Sequence, residues 1–131
     1  MVIVDTTVWI DYLQGTSNPE SDWLGRESTR QRLGLTDLIL CEILQGIRNP
    51  ASFVQVRNDL LRFEVFPTGG APLAIAAAWN YRELRRHGHT VRKTIDCLIA
   101  TFCLRSGHSL HHRDRDFDRF EKVLGLSVVR P

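Results

Sequence analysis

Apolar residues follow two different spacings along this chain. Short continuous apolar runs, such as Val2–Val4, have the length of a buried strand. Longer segments repeat apolar residues every three or four positions, as between Pro72 and Arg86, which is typical of a helix packed on a core. Gly15 and Gly107 follow two helical segments and predict where those helices end.

These spacings together predict an α/β fold. Strands are predicted at Val2–Val4, Gly34–Thr36, Phe63–Phe66, Ser109–His111 and Leu126–Val129. Helices are predicted at Thr6–Leu13, Pro19–Arg32, Leu38–Ile47, Ala51–Leu61, Pro72–Arg86 and Thr94–Arg105, with a short helix starting within Asp114–Phe117. Because strands and helices alternate, we expect a short, mostly parallel central sheet flanked by helices on both faces. No linker-like segment divides the chain, so a single domain over residues 1–131 is expected.

Composition excludes several classes of protein. With 43% apolar residues among 131, the chain can bury a core and does not have the composition of a disordered segment. The three cysteines form no CxxC pair, which argues against a disulfide framework or a zinc site, and each is expected to pack as a small hydrophobe. No apolar run is long enough to cross a membrane and no signal-peptide pattern is found, so we expect a cytoplasmic protein.

Three acidic residues stand alone inside apolar segments. Asp5 ends the first apolar run, Glu42 lies within Leu38–Leu44, and Asp96 lies within Thr94–Leu104. Burying an ionised carboxylate without a partner costs several kcal/mol. No segment offers a lone buried lysine or arginine to match them. We therefore expect the three acids to converge on a divalent cation, because hard cations take carboxylate oxygens as ligands.

Each of these acids also has an ordinary structural explanation. Asp5 is a favoured residue type for capping the first helix. Asp96 lies in the first turn of a helix, where the helix dipole stabilises an acid. Glu42 could pair with Arg48, although it lies in the middle of its helix, where no dipole effect favours it. The metal-site hypothesis therefore depends on the three acids taken together.

Four stretches occur in an order and spacing that cover essentially the whole chain. They are Ile3-Val4-Asp5-Thr6-Thr7-Val8-Trp9-Ile10, Glu42-Ile43-Leu44-Gln45-Gly46, Val91-Arg92-Lys93-Thr94-Ile95-Asp96-Cys97-Leu98-Ile99-Ala100 and His112-Arg113-Asp114-Arg115-Asp116-Phe117. In this order they resemble the motifs of PIN-domain ribonucleases, specifically the VapC-type toxins of bacterial toxin–antitoxin pairs. The resemblance implies a PIN-like α/β/α sandwich, in which the acids meet at the carboxyl ends of the strands.

The resemblance also implies a set of site residues. The family's acidic quartet, expected to bind metal and to act in catalysis, matches Asp5, Glu42, Asp96 and Asp114. Asp116 matches a further metal-binding acid that is often found beside the fourth. Thr6 matches the hydroxyl residue that supports the first aspartate. His112 stands where many members carry Thr or Ser, so it is a second candidate for a supporting residue.

The implied activity is cleavage of single-stranded RNA (tRNA, ribosomal RNA or messenger RNA) with Mg²⁺, or Mn²⁺, as the cofactor. A cation of this kind can activate a water for attack on a phosphodiester. RNA also requires positive charge near the acids, because phosphate contacts supply most of the affinity. The candidate RNA-binding residues are Arg92, Lys93, Arg113 and Arg115. A further basic group, for which a solvated helix face is the alternative, consists of Arg82, Arg85 and Arg86.

The implied partners are a cognate antitoxin, the RNA substrate and a second copy of the chain. The family usually forms homodimers, and a heterotetramer or larger assembly with antitoxin is expected, with no membrane partner. Antitoxins of the family place a segment, often with an arginine, near the acids, and a guanidinium pairs well with carboxylates. Helices Pro19–Arg32 and Ala51–Leu61 both offer surfaces for these partners.

Two other functions remain open from the sequence. Asp5, directly after a strand, could be the nucleophile of a phosphotransfer enzyme, although such enzymes commonly have a second aspartate where this chain has Thr7. The chain could also be a non-catalytic PIN-like RNA-binding or scaffold module, a class in which loss of one quartet acid would be expected. The tryptophans (Trp9, Trp23 and Trp79) fall on helical patterns and are expected to pack in the core or an interface rather than to stack on bases.

Overall fold

Four short parallel strands form the sheet of the computed structural model, which describes residues 1–131. The strands are β1 (Val2–Val4), β2 (Leu33–Thr36), β3 (Glu64–Phe66) and β4 (Ser109–His111), in the order β3-β2-β1-β4. All three pairings are parallel, so the four carboxyl ends lie along one edge of the sheet. This edge is where ligand sites form in open parallel sheets.

Helices connect and flank the strands, and they confirm the predicted α/β class. They are α1 (Thr6–Leu13), α2 (Pro19–Glu27), α3 (Asp37–Gln45), α4 (Pro50–Leu60), α5 (Ala71–Arg86), α6 (Thr94–Ser106) and α7 (Asp118–Leu124). A 3₁₀ turn at Arg115–Phe117 directly precedes α7. None of these helices combines the length and apolar character that crossing a bilayer requires.

One continuous core lies between the sheet and its helices. Ile3 and Val4 of β1 and Leu35 of β2 are completely buried, as expected for strands covered on both faces. Trp9 of α1 and Phe117 of the 3₁₀ turn are the largest fully buried side chains. The polar ends of the strands are therefore held on a rigid apolar base.

Side-chain caps determine where several helices begin. The Asp5 carboxylate accepts a hydrogen bond from the Thr7 amide at the start of α1, and the Thr36 hydroxyl accepts one from the Ile39 amide at the start of α3. Asn18 forms a reciprocal capping box with Ser21 at the start of α2. β1 ends one residue before its cap, Asp5, and β2 ends at its cap, Thr36, so each strand leads into its helix without a loop.

Gly34 in β2 is required by a close approach of neighbouring groups. A Cβ at this position would lie 2.8 Å from the Phe66 ring and 3.1 Å from the Glu64 carbonyl oxygen. These two groups belong to β3, which pairs with β2 at this residue. Only a residue without a side chain lets the two strands pack at this distance.

Two predicted elements differ in the structure. Helix α2 ends at Glu27 rather than Arg32, because Leu24 is its last buried residue and the polar segment after Ser28 has no core contact to maintain a helix. The predicted strand Leu126–Val129 forms only a single bridge, between Leu110 and Val128. Its neighbour β4 is three residues long and offers few further pairing positions.

Candidate active site

The acids that follow β1 and β4 lie at the carboxyl edge of the sheet. Asp5 comes directly after β1, and its backbone N–H donates to the carbonyl oxygen of His111, the last residue of β4, at 2.9 Å. Asp114 follows β4 three residues later. The parallel pairing of the two strands thus brings two acids from opposite ends of the chain to the same edge.

Asp5 is held in one orientation by the residue that starts α1. Its carboxylate accepts the Thr7 hydroxyl at 2.8 Å and the Thr7 amide at 3.2 Å. The Thr7 hydroxyl in turn accepts the Arg113 amide at 3.1 Å. Only 3% of Asp5 is exposed. Asp5 is therefore a helix cap, and its role as a site acid, which is compatible with the cap, stays a prediction.

Thr6 supports a different acid from the one expected. Its hydroxyl donates to the Glu42 carboxylate at 2.7 Å, across from α1 to α3, and does not contact Asp5. The reason is that successive side chains in the first turn of α1 point in different directions. The Thr7 side chain points toward the Asp5 cap, and the Thr6 side chain points toward α3. Glu42 forms no ion pair with Arg48, so this hydroxyl contact takes the place of the pairing considered from the sequence.

Asp96 is the most poorly compensated acid of the site. It lies in the first turn of α6, with only 6% of its surface exposed. One of its carboxylate oxygens is buried and has no hydrogen-bond partner. Leaving such an oxygen without a partner costs about 1–3 kcal/mol, and more for a charged group. The positive charge that lowers its pKa in part is that of Lys93, which precedes α6.

Asp96, Asp114 and Asp116 form a compact cluster. One carboxylate oxygen of each lies within 4.8 Å of the corresponding oxygens of the other two. Local hydrogen bonds fix this geometry: the Asp116 amide donates to the Asp114 carboxylate at 2.9 Å, and the Asp114 amide donates to a ring nitrogen of His112 at 3.1 Å. Both candidates for the fourth acid, Asp114 and Asp116, therefore face Asp96.

Burial and mutual repulsion raise the pKa of two site acids. The pKa of Asp5 rises from 3.8 to about 6, chiefly because burial disfavours the charged form, and the Glu42 charge adds to the rise. The pKa of Asp96 rises from 3.8 to about 7, again chiefly through burial and then through the charges of Asp5 and Asp114. The charges of Asp5, Glu42 and Asp114 therefore act on Asp96, although the compact cluster itself contains only Asp96, Asp114 and Asp116.

This donor set fits a hard divalent cation. All the candidate ligand atoms are carboxylate oxygens, the type that Mg²⁺ and Mn²⁺ prefer. Asp96, which has a buried oxygen without a partner, is one of the three acids of the cluster, and an ion bound there would neutralise its charge. Two protein cations offset part of the negative charge. The Arg119 guanidinium lies 3.5 Å from the Asp116 carboxylate, and the Lys93 charge lowers the pKa of Asp96.

His112 acts on the site through the backbone of Asp114. It is 8% exposed, and its ring packs against Phe117 at a centroid distance of 5.0 Å. Burial lowers its pKa, which favours the neutral ring that can accept the Asp114 amide. The family's Thr or Ser hydroxyl at this position is thus replaced by a ring nitrogen that can also accept a hydrogen bond.

The predicted RNA-binding residues differ in their availability. Arg92 and Lys93 are exposed at the start of α6 and form no ion pair, and Arg115 is likewise exposed and unpaired. Arg113 instead donates to the Asp11 carboxylate at 2.9 Å. Its guanidinium therefore has an internal partner, and RNA would have to compete with Asp11 for it. The RNA-binding role of all four residues stays a prediction.

Two functional contacts were missed by sequence reasoning. Thr7 fixes Asp5, and Arg119 pairs with Asp116 while also donating to the Thr90 carbonyl. The signal for Thr7 was its position two residues after a capping aspartate, where an amide and a hydroxyl can both reach the cap. Arg119 had a weaker signal, its spacing of three residues from Asp116 on a helical segment.

A depression of about 800 Å³ lies elsewhere, beside Trp9, Arg32 and Phe63. It includes Leu33 and Glu64, the first residues of β2 and β3. These residues mark the amino-terminal edge of the sheet, opposite the acids. The size of a depression therefore does not locate the chemistry of this protein, whereas the strand ends do.

The sequence of the chain matches the family model described as the PIN domain over residues 2–123. The chain belongs to the PIN-domain family. Among full-length relatives of this PIN domain is a protein named ribonuclease VapC11 from Mycobacterium tuberculosis, 30% identical over 131 residues, with 98% of each chain covered. The resemblance inferred from the four motifs is confirmed.

Solved structures share the fold of this PIN domain at low sequence identity. A toxin–antitoxin complex from Klebsiella pneumoniae contains a chain that matches with a TM-score of 0.73 at 18% identity, covering 100% of this chain and 98% of that one. VapC20 from Mycobacterium tuberculosis, described as a sarcin–ricin loop cleaving toxin, matches with a TM-score of 0.67 at 20% identity over 100% of both chains. At these identities the likeness establishes the PIN-like α/β/α fold, as predicted.

Proposed function

We propose that this PIN domain, acting as one unit over residues 1–131, is a metal-dependent endoribonuclease toxin of the VapC type. It would cleave single-stranded RNA and be silenced by a cognate antitoxin in the cytoplasm. The full-length relative named as a ribonuclease supports the general activity. The metal dependence and the class of RNA rest on the chemistry of the acidic site.

The observation that carries the proposal is the uncompensated charge around Asp96. Its carboxylate has a buried oxygen without a partner and lies within 4.8 Å of oxygens from Asp114 and Asp116. An acidic cluster of this kind destabilises the fold unless a cation offsets the repulsion. A scaffold or RNA-binding module would gain nothing from such a cluster, since the acids repel phosphates when no cation is bound.

We assign the metal-ligand role to Asp96, Asp114 and Asp116, with Asp5 and Glu42 completing the site directly or through water. A cation held there would supply an activated water and offset charge on the scissile phosphate. The Thr7 hydroxyl fixes the Asp5 carboxylate, and the Thr6 hydroxyl fixes that of Glu42. His112 fixes the loop that bears Asp114. These contacts hold the acids in place before a substrate arrives, which lowers the reorganisation needed for catalysis.

The phosphotransfer alternative is disfavoured by how Asp5 is bound. Thr7 holds one oxygen of Asp5 through two hydrogen bonds, as it would in orienting a metal ligand, and Asp5 is only 3% exposed, which leaves little room for in-line attack on phosphorus. The position two residues on also lacks the second aspartate common in such enzymes. We therefore retain hydrolysis of RNA as the proposed reaction.

The proposed partners are an antitoxin and a second copy of the chain. A neighbour with this fold was solved as a toxin–antitoxin complex, which supports a partner of that kind. The excess negative charge around Asp96 would favour a partner that offers an arginine, because a guanidinium pairs with carboxylates in a bidentate manner.

The proposal is tested by incubating the purified protein with total cellular RNA and mapping new 5′ ends. We expect cleavage with Mg²⁺ or Mn²⁺ and none in EDTA. Asp96→Asn and Asp5→Asn should abolish cleavage in variants that remain folded, and Asp22→Asn on α2 serves as the matched acid control. Full activity of a folded Asp96→Asn variant, or activity that persists without a divalent ion, would show that the site assignment is wrong.

A further inference from the structure

The exposed side of the carboxyl-terminal half of α5 continues into the loop before α6 as a basic strip. We propose that this strip is a binding site for single-stranded RNA that flanks the cleavage position, with one tryptophan as a stacking platform for a base. The strip consists of Trp79, Arg82, Arg85, Arg86, Arg92 and Lys93. This inference rests on the proposed ribonuclease function and adds the path along which the substrate would lie.

Trp79 has the surroundings of a base-stacking platform. Its side chain was expected to pack in the core or an interface, and an exposure of 64% excludes the core. The Arg82 guanidinium lies 6.0 Å from the centroid of its ring. One turn further along, the Arg85 guanidinium lies 5.9 Å from the Tyr81 ring. Exposed aromatic rings combined with arginines are the means by which proteins bind single strands without reading sequence.

The charge of the strip is strongly positive and mostly unpaired. Between residues 79 and 93 there are five lysines and arginines and a single acid, Glu83, whereas the whole chain carries a net charge of only +2. Glu83 pairs with Arg86. The remaining four cations form no ion pair within the protein. A phosphate backbone supplies the partners that these side chains lack.

The strip begins beside the acidic cluster. Lys93 is the residue before α6, and its carbonyl oxygen accepts the Asp96 amide at 3.2 Å, so the end of the strip adjoins the acid. Only seven residues, 87–93, connect α5 to α6, which limits how far the basic end of α5 can lie from the start of α6. The Cys97 thiol donates to the Ala77 carbonyl at 3.2 Å, which fixes the two helices side by side. RNA bound along the strip would therefore lead into the site.

A protein partner is the other occupant to consider for this surface. Ile75, one turn before Trp79, is 71% exposed and would suit an apolar interface. The strip itself suits a protein interface poorly. Burying several arginines without carboxylate partners costs more free energy than the burial of their aliphatic stems provides. Repulsion between like charges also disfavours a second copy packed strip against strip. The unpaired charge thus favours RNA over protein at Trp79 and the residues after it.

The direct test measures RNA binding in the Asp96→Asn background, which prevents cleavage. The probe is a short, fluorescein-labelled single-stranded RNA of mixed sequence, followed by anisotropy at several salt concentrations. Trp79→Ala is expected to weaken binding about 5- to 160-fold. Removing Arg82 or Arg85 should reduce the slope of log affinity against log salt by about 0.7 for each residue. Arg57→Ala on α4, which changes an exposed arginine away from the strip, should leave both quantities unchanged.

Tryptophan fluorescence separates direct contact from an indirect effect. Trp9 is 1% exposed and will not respond to RNA, so quenching by the oligonucleotide that is lost in Trp79→Phe identifies Trp79 as the contact. Light scattering follows the mass of each variant. If RNA binding and quenching persist in the Trp79 and Arg82 variants, or if Trp79→Ala changes only the oligomeric mass, the strip is not an RNA site and the inference fails.

Cleavage kinetics distinguish this inference from the function on which it rests. If wild-type protein cleaves RNA, substitutions in the strip should raise KM more than they lower kcat, because the strip binds substrate away from the reacting phosphate. If wild-type protein cleaves no RNA, the proposed function fails, while the anisotropy measurements still decide whether the strip binds RNA. Cleavage by wild type with unchanged KM in every strip variant overturns the inference alone.

Discussion

Replacing Asp96 with asparagine should remove activity and at the same time stabilise the protein. Burial and the charges of Asp5 and Asp114 raise the pKa of Asp96 from 3.8 to about 7. Each pKa unit corresponds to about 1.4 kcal/mol of difference between the two protonation states. We therefore expect the free energy of unfolding to rise by roughly 2–4 kcal/mol at neutral to alkaline pH.

The gain in stability that Asp96→Asn produces should depend on pH in a defined direction. A carboxyl group whose pKa is raised by folding holds more protons in the folded state, so its contribution to stability falls as pH rises. For Asp96 this loss of stability begins near pH 3.8 and is complete above about pH 7. The variant avoids the loss, so its advantage over wild type should be largest at about pH 8 and smaller at about pH 5.

Thermal unfolding in EDTA at the two pH values measures this effect. At about 4 °C per kcal/mol, a conversion suited to a domain of this size, the melting temperature of Asp96→Asn should exceed that of wild type by about 8–16 °C at the higher pH. Asp22→Asn, which changes an exposed acid on α2 that accepts from Ser17, should shift it little. A variant less stable than wild type, or a gain that does not shrink at the lower pH, would refute the electrostatic reasoning.

Three further substitutions test the contacts that hold the site. Thr7→Val removes the hydroxyl that orients Asp5 and should abolish most RNA cleavage, whereas Thr7→Ser should retain it; equal loss in both would contradict the hydrogen-bond role. His112→Leu leaves the Asp114 amide without its acceptor and should lower the free energy of unfolding by about 1–3 kcal/mol, while His112→Asn should restore part of it in denaturant titrations. Gly34→Ala should lower the free energy of unfolding by about 1–3 kcal/mol in the same assay, because the new Cβ would lie 2.8 Å from the Phe66 ring on the next strand. Unchanged stability would mean that the two strands can move apart at little cost.

Much of the fold could be predicted because local chemistry decides where elements begin. Asp5, Asn18 and Thr36 each accept an amide from the helix that follows, and such caps are visible as residue types in the sequence. The end of α2 could not be predicted in the same way. Ser28 fits either a helix or a turn, and the choice depends on the absence of a core contact after Leu24, which only the tertiary structure reveals.

The convergence of acids could also be predicted, but their individual partners could not. Acids that follow parallel strands must meet at one edge, because every strand runs in the same direction. Thr6 and Thr7 are adjacent hydroxyl residues, and the sequence cannot say which one faces Asp5. The answer depends on the rotation of α1 about its axis, which packing against α3 and Glu42 determines.

The exposure of Trp79 could not be predicted from helical periodicity. Periodicity identifies an apolar stripe, and Leu73, Ala77 and Leu84 do form the buried side of α5. Trp79 and Ile75 lie outside that stripe and are exposed. A large apolar residue on a helix is usually assigned to the core, so its exposure is informative, and here it coincides with an unpaired basic surface.

The negative charge that would attract a cation also limits how an antitoxin can silence the proposed enzyme. If an antitoxin arginine and a divalent ion both relieve the repulsion around Asp96, each must weaken the binding of the other by the same factor. Asp96→Asn removes part of what both recognise, so it should weaken the affinity for both. A variant that loses Mg²⁺ binding but keeps its full affinity for the antitoxin would require that the partner inhibit from another surface, for example by covering the basic strip along which RNA is proposed to enter.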